Sequence, residues 1–477
     1  MTVLAIDQGT SGTKAVVVSE DGDVLAIAET AVRPAYLAAG GVEQDPMELL
    51  GSVLEAGRSA VAQAGVPVSA VSLANQGETV LVWDPVTGRP LSQAVVWQDR
   101  RSDQLCRDKS ESKSWVEQRT GLVLDPYFSA PKMQWLRQNA TASGAVTTTD
   151  TWIVHYLTGE FVTDSATASR SLLTDLDTVA WDPQLLDLFE LSAERMPAIV
   201  ANDVVVGTTD AFGSGAAVGG LVVDQQAALL AERCFDAGTA KCTFGTGAFL
   251  LANTGTLPVR SAAGLASCVA WNVRGKTSYC VDGQAYTAAS AIRWIQDLGL
   301  IESVRDLDSV AAHDSGGTYF VPALAGLAAP WWRPDATASF SGMTLSTDRS
   351  QLVAAVLEGL AAQTAGLVSA VEGDLDAPLT RLRVDGGLTR SRRLMQATAD
   401  LTQIPLDVYP SSHATALGAA ACARLSLNPD LSLQDAVADW EPATTYEPRW
   451  SVDRAAEFRH HWRAAARAAL PQEKSDD

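Results

Sequence analysis

Two α/β lobes built on a shared plan are what the sequence predicts, and three features carry that prediction. A strand that enters a short Gly/Thr turn and returns as a strand occurs twice, once at the N-terminus and once beyond residue 240. Around these hairpins, stretches of strand and helix periodicity alternate, the pattern of an α/β architecture. The 477 residues of the chain also exceed what one core usually holds, so two domains of about 200 residues are expected.

The elements follow in order. Val3-Leu4-Ala5-Ile6 reads as a buried strand that leads into Asp7-Gln8-Gly9-Thr10-Ser11-Gly12-Thr13. Lys14-Ala15-Val16-Val17-Val18 returns as the second strand, and a third spans 24–30 after the turn Glu20-Asp21-Gly22-Asp23. Asp45-Pro46-Met47-Glu48 predicts a helix start, with Asp45 as cap and Pro46 in the first helical position. Apolar residues at Leu49, Leu50, Val53, Leu54 and Val61 hold helical spacing until Gly65 stops it. A strand is expected over 66–73, delivering Asn75-Gln76-Gly77-Glu78 at its end, with further strands over 79–83 and 94–97.

The mid-chain hairpin is Lys241-Cys242-Thr243-Phe244, then Gly245-Thr246-Gly247, then Ala248-Phe249-Leu250-Leu251-Ala252. One such turn per half suggests an internal duplication, with domains at 1–230 and 231–470 and the boundary inside 230–238. Asp236-Ala237-Gly238-Thr239 imitates the first turn but follows no strand of any length. A long helix is expected over 351–372, its apolar stripe facing the core, and the tail 471–477 is expected to be disordered.

Composition narrows the partners. A net charge of −21 argues against nucleic acid and anionic membranes, since both need a basic face. No eighteen apolar residues follow one another and no N-terminal signal pattern is visible, so a cytoplasmic protein is expected. The six cysteines lack CxxC or zinc-ligand spacing and read as buried free thiols.

Short Gly, Thr and Ser turns after a strand present N–H and hydroxyl donors to an anion. Two of them can hold a triphosphate from opposite sides, although either alone is also what an ordinary tight hairpin contains. Asp385-Gly386-Gly387 makes a third strand-to-Gly turn, leading into a helix from Ser391. Gly387, lacking a Cβ, would let an adenine ring lie flat against the backbone. An ordinary β–α turn has the same residues.

With these motifs in hand, the chain resembles the FGGY family of carbohydrate kinases, and within it the glycerol-kinase branch. Two long patterns carry the resemblance. One is Tyr127-Phe128-Ser129-Ala130-Pro131-Lys132-Met133-Gln134-Trp135-Leu136; the other starts at Ala338-Ser339-Phe340-Ser341-Gly342-Met343 and continues to Glu358. Val96-Trp97-Gln98-Asp99-Arg100-Arg101 and Asp224-Gln225-Gln226-Ala227-Ala228-Leu229 add to it. The resemblance implies two actin-like (ribonuclease H-like) domains with a nucleotide cleft between them, and ATP-dependent phosphorylation of a small polyol or sugar. It implies that Asp224 is the base and that Asp7 holds Mg²⁺ through water. Thr10, Ser11, Gly12, Lys14 and Thr246 would meet phosphates, and Ala289, Arg293, Gly387 and Ser391 would meet the nucleoside end. Gly77, Glu78, Trp97, Tyr127, Asp224, Gln225 and Phe249 would form the acceptor pocket; outside the family context the three aromatics read as core. A homo-oligomer, dimer or tetramer, is also implied.

The pattern breaks in a few places. Glycerol kinases carry an Arg where this chain has Gly77, so the pocket is expected to lose a guanidinium and accept a longer acceptor, of four or five carbons. A family Gly and Gln correspond to Ala289 and Arg293, and a family Asn to Ser391. The stretch 210–217, which in some relatives binds a sugar bisphosphate, has no basic residue here, so no such inhibition is expected. A pentulose kinase remains the alternative enzyme. A sugar-sensing regulator lacks support from a basic surface or an added DNA-binding motif, and an ATPase without acceptor does not need the pocket residues.

Overall fold

The computed structural model of the protein describes residues 1–213 and 215–470. The tail 471–477 and residue 214, within the 210–217 stretch, lie outside the described residues.

Each half is built around a mixed sheet whose central strand feeds a Gly/Thr turn. In the first half the order is Val205–Thr209, Ala216–Val223, Ala70–Asn75, Val3–Gln8, Gly12–Val18, Val24–Ala31. Val3–Gln8 pairs antiparallel with Gly12–Val18 and parallel with Ala70–Asn75. The second half has Ala266–Val273, Lys276–Ala285, Ala248–Gly255, Ala240–Phe244, Leu382–Asp385, Leu406–Val408, Thr444–Tyr446. There Ala240–Phe244 pairs antiparallel with Ala248–Gly255 and parallel with Leu382–Asp385. The local plan therefore repeats: an antiparallel hairpin beside one parallel neighbour.

The helix Pro46–Ala64 starts as expected, with the Asp45 carboxylate accepting the Met47 N–H at 2.8 Å, and ends at Gly65 in the left-handed conformation. It packs Leu49, Leu50, Val53 and Ala56 onto Leu4, Ile6, Ala15 and Val17. The long helix of the second half runs Arg349–Leu375, two residues earlier than expected, because Asp348 and Gln351 form a capping box. This helix is long and apolar enough to cross a membrane, but 83% of its apolar window is buried inside the fold. It is therefore the core helix of the second lobe.

Some boundaries differ from the sequence reading. The strand expected over 66–73 is Ala70–Asn75, because its extent is set by register with Val3–Gln8 rather than by its own pattern. The strand expected over 94–97 stops at Val95, and Trp97 turns inward with its N–H 3.3 Å from Thr79 Oγ1. Val80–Trp83 and Ala94–Val95 join a separate five-stranded sheet with Ala35–Tyr36, Val42–Gln44 and Ala145–Thr148. All six cysteines are buried and free.

Candidate active site

The two Gly/Thr turns face a shared cavity of about 690 Å³ whose lining comes from both halves of the chain. Each turn is closed by one backbone bond, Gly9 N–H to Gly12 O and Gly245 N–H to Gly247 O, both 2.9 Å. Among the described residues the N–H groups of Thr10, Ser11, Thr246 and Gly247 donate to no protein acceptor. Four such donors suit an anion. The carbonyl sides are occupied. Thr10 O accepts Gln44 Nε2 at 2.6 Å, while Thr246 O accepts Ala288 N at 2.9 Å and Ser290 Oγ at 3.1 Å.

One end of the cavity brings aromatic and polar groups together. Trp97 meets Tyr127 and Phe249 edge-on, with ring centroids 5.6 and 6.2 Å apart. Such walls fit the C–H face of a small carbon chain. Trp97 Nε1 donates to Thr10 Oγ1 at 2.8 Å, so the aromatic wall is fastened to the first phosphate-sized turn. Tyr127 stands on a loop fixed from beneath by Lys132, whose Nζ donates to the carbonyls of Pro126, Tyr127 and Phe128 at 2.9, 2.5 and 2.6 Å. Glu78, Asp224 and Gln225 supply the polar groups at this end.

Asp224 opens the helix Asp224–Ala231, directly after the strand Ala216–Val223. Its Oδ1 accepts its neighbour's N–H, from Gln225, at 2.7 Å. Burial raises the pKa of Asp224, while that N–H and the Lys241 ammonium pull it down. Lys241 is fully buried, with Nζ 2.6 Å from Gln225 Oε1 and 2.7 Å from Thr243 Oγ1. Burial first, and then the Asp224 carboxylate, pushes Asp7 up to about 7, against Lys14. Burial also raises Asp385, whose Oδ1 has no hydrogen-bond partner among the described residues.

Negative charge is thus undercompensated where a divalent cation is expected. Among the described residues no three carboxylate, His or Cys groups converge into a metal cage. Asp7, whose carboxylate burial and Asp224 push towards its neutral form, would suit a cation completed by water and phosphate oxygens, the usual habit of Mg²⁺.

Of the residues singled out in the sequence, Thr10, Ser11, Gly77, Glu78, Trp97 and Tyr127 line this cavity, together with Asp224, Gln225, Thr246, Phe249 and Arg293. Asp7, Gly12, Lys14, Ala289, Gly387 and Ser391 do not. Lys14 pairs with Glu29 at 3.1 Å. Ala289 sends its N–H to Gly245 O at 3.0 Å, behind the second turn. Gly387 is exposed, and Ser391 caps the helix Arg392–Thr402 with its hydroxyl donated to Asp308 Oδ1 at 2.7 Å. A cavity of about 780 Å³ elsewhere in the second lobe, between Arg392–Thr402 and Val452–Ala468, contains none of the singled-out residues.

Gly77 brings no guanidinium of its own, but another one, that of Arg170, lines the same cavity. A Cβ on Gly77 would stand 3.7 Å from Arg170 Nε and 3.0 Å from Val223 Cγ2. Sequence reasoning missed both Arg170 and Lys241. Neither lies in a spacing pattern; a lone cation between small or apolar residues was the only signal.

Comparison with known proteins follows the same division into halves. Residues 2–231 match the N-terminal domain of the FGGY family of carbohydrate kinases, and residues 240–427 match its C-terminal domain. The chain belongs to the FGGY family of carbohydrate kinases. A glycerol kinase of Alkalilimnicola ehrlichii is 40% identical over 495 residues, covering 100% of this chain and 99% of that one. One from Gloeobacter violaceus is 42% identical over 436 residues, covering 89% of this chain and 88% of its own. The structure of a Plasmodium falciparum glycerol kinase with ADP superposes with a TM-score of 0.91 at 30% identity, covering 99% of each chain. A Brucella ovis xylulose kinase shares the fold, with a TM-score of 0.88 at 24% identity and coverage of 98% and 99%. This FGGY chain is accordingly a phosphotransferase that acts on a hydroxyl group, glycerol-kinase-like in kind, with ATP as cosubstrate.

Proposed function

We propose that this FGGY kinase transfers the γ-phosphoryl group of ATP to a small polyol of four or five carbons. The observation that carries the reading is the acceptor end of the cavity: three aromatic walls, Glu78, Asp224 and Gln225, and Gly77 contributing no side chain. Asp224 accepts the proton of the acceptor hydroxyl as its oxygen bonds to the γ-phosphorus, and the bond to the β–γ bridging oxygen breaks to release ADP. A carboxylate in that role contributes about 10²–10⁴-fold. The N–H groups of the turns at Thr10 and Thr246 position the phosphates, and positioning is most of what phosphoryl transfer asks of a protein. Asp7 would hold Mg²⁺ through water, and the ion would supply charge neutralisation for the phosphates. Arg293 reaches the cavity and suits a phosphate or ribose contact, while Gly387 and Ser391 belong to the nucleoside end of the proposal.

The test is ADP release with ATP–Mg²⁺ against glycerol, erythritol, threitol, xylitol and xylulose, for the wild type and Gly77→Arg side by side. We expect a longer acceptor to be preferred by the wild type and the variant to move towards glycerol. A wild type that clearly prefers glycerol overturns the chain-length reading and leaves the kinase. We also propose a homo-oligomer, dimer or tetramer, which light scattering after size-exclusion chromatography decides.

A further inference from the structure

Arg170 follows the short helix Ser165–Ser169 and is only 3% exposed, although it lines the cavity. Its Nε donates to Glu78 Oε1, and its Nη1 donates to Asp282 Oδ2 at 2.7 Å. Nη2 lies 3.4 Å from the Tyr127 hydroxyl. Glu78 and Tyr127 belong to the acceptor end, whereas Asp282 lies on Lys276–Ala285, a strand of the second lobe. The rigid guanidinium fork thus addresses two carboxylates from opposite lobes, a task that a single-point ammonium cannot reproduce.

Two observations say that Glu78 needs this support. Its backbone is in the left-handed region, with φ 58, where a non-glycine residue is strained. Its carboxylate is buried, and a buried charge without a partner is costly. Gly77 matters in the same place. With no side chain at position 77, nothing from that residue covers the Nε–Cδ edge of Arg170, which lies 3.7–3.9 Å from where a Cβ would stand.

We infer that Arg170 is a positioning residue that sets acceptor selectivity, aiming Glu78 and the Tyr127 hydroxyl into the pocket and anchoring both to the second lobe through Asp282. The inference rests on the acceptor reading of the cavity given above. Acceptors of four and five carbons depend on it more than glycerol does, because they extend into the space beside Gly77.

The experiment is steady-state kinetics of Arg170→Lys on glycerol, erythritol and xylitol, with ATP varied in parallel. We expect KM for the two longer acceptors to rise about ten-fold or more, a smaller rise for glycerol, and KM for ATP within about two-fold of wild type. Arg170→Gln should lose more than Arg170→Lys, which keeps the charge and thus rescues part of the effect. An equal fall in kcat/KM for all three acceptors together with a raised KM for ATP means a merely structural role and overturns the inference. So does an unchanged acceptor ranking. If Arg170→Lys does not fold, Asp282→Asn, which leaves the Glu78 pair in place, must shift the ranking in the same direction to a smaller extent. A wild type inactive on every polyol overturns the acceptor reading itself and the inference with it, whereas an active wild type with an unmoved variant overturns the inference alone.

Discussion

The two Gly/Thr hairpins share one pairing plan, an antiparallel partner and one parallel neighbour, and differ in chemistry. In the first, Asp7 on the central strand faces Lys14 across the hairpin and Ala74 on the parallel neighbour. In the second, the corresponding position is Thr243, which faces Phe249 across the hairpin and Asp385 on the parallel neighbour. The carboxylate has moved from the central strand to its neighbour, and the cation has become an aromatic wall. The anchoring differs too: Trp97 and Gln44 hold the first turn, whereas the start of the helix Ala289–Asp297 holds the second. One backbone plan thus occurs twice as two proposed anion cradles, and the side chains around each turn differ.

The largest effect should expose the chemical asymmetry of the lobes. Asp224→Asn removes the proposed base and is expected to lower kcat by about 10²–10⁴-fold with little change in KM for ATP. Asp385→Asn, on the second lobe and outside the cavity lining, should cost far less. Equal losses in the two variants, measured by initial rates, would remove Asp224 from its special role.

Packing separates the turns next. A Cβ at Gly247 would lie 2.5 Å from Ala285 O, whereas one at Gly9 would meet only Gly12 O at 3.4 Å. Gly247→Ala is therefore expected to destabilise the protein by about 1–3 kcal/mol and to raise KM for ATP. Gly9→Ala should stay within about 0.5 kcal/mol. Thermal denaturation of both variants checks this, and similar melting temperatures would mean that the second turn is no tighter than the first.

The hairpins were legible because strand, Gly/Thr turn and strand is a local pattern that needs no tertiary partner. The helix Pro46–Ala64 was legible for a similar reason, since Asp45, Pro46 and Gly65 mark its ends within the sequence. The five-stranded sheet was not, because two-residue strands such as Ala94–Val95 carry no periodicity of their own. Within the site, the roles assigned to Asp224, Glu78 and Phe249 came from family resemblance rather than from spacing. Arg170 was invisible to both routes: its partners lie 92 and 112 residues away along the chain, and a cation in Ala168-Ser169-Arg170-Ser171 reads locally as a solvated turn.

Electrostatics gives a pH-dependent contrast. Asp7 titrates near 7, raised by burial and Asp224 above the 3.8 of a free carboxyl. Without metal, the folded state keeps a proton that the unfolded chain releases, so this group's contribution favours folding less as pH rises from about 4 to about 7. Mg²⁺ favours the ionised form, so its apparent affinity should rise about ten-fold between pH 6 and pH 8, as ionisation goes from roughly a tenth to nine-tenths. Activation by Mg²⁺ measured across that range checks it; an apparent affinity independent of pH would place the cation away from Asp7.

The smallest effect bears on how the first turn is coupled to the acceptor. Trp97 Nε1 donates to Thr10 Oγ1, so one side chain links the proposed acceptor wall to the proposed phosphate turn. Trp97→Phe keeps an aromatic face and removes that bond, at a cost of about 1 kcal/mol. The loss should appear as a rise of about five-fold in KM for the acceptor and for ATP alike. Phe249, the aromatic of the second hairpin, has no polar handle on Thr246, so Phe249→Leu should raise KM for the acceptor alone. If Trp97→Phe also moves only the acceptor term, the bond to Thr10 is incidental and the two turns are equally independent of the acceptor. If both terms move, the first hairpin is where acceptor and phosphate binding are joined, and the second hairpin serves the nucleotide through its helix instead.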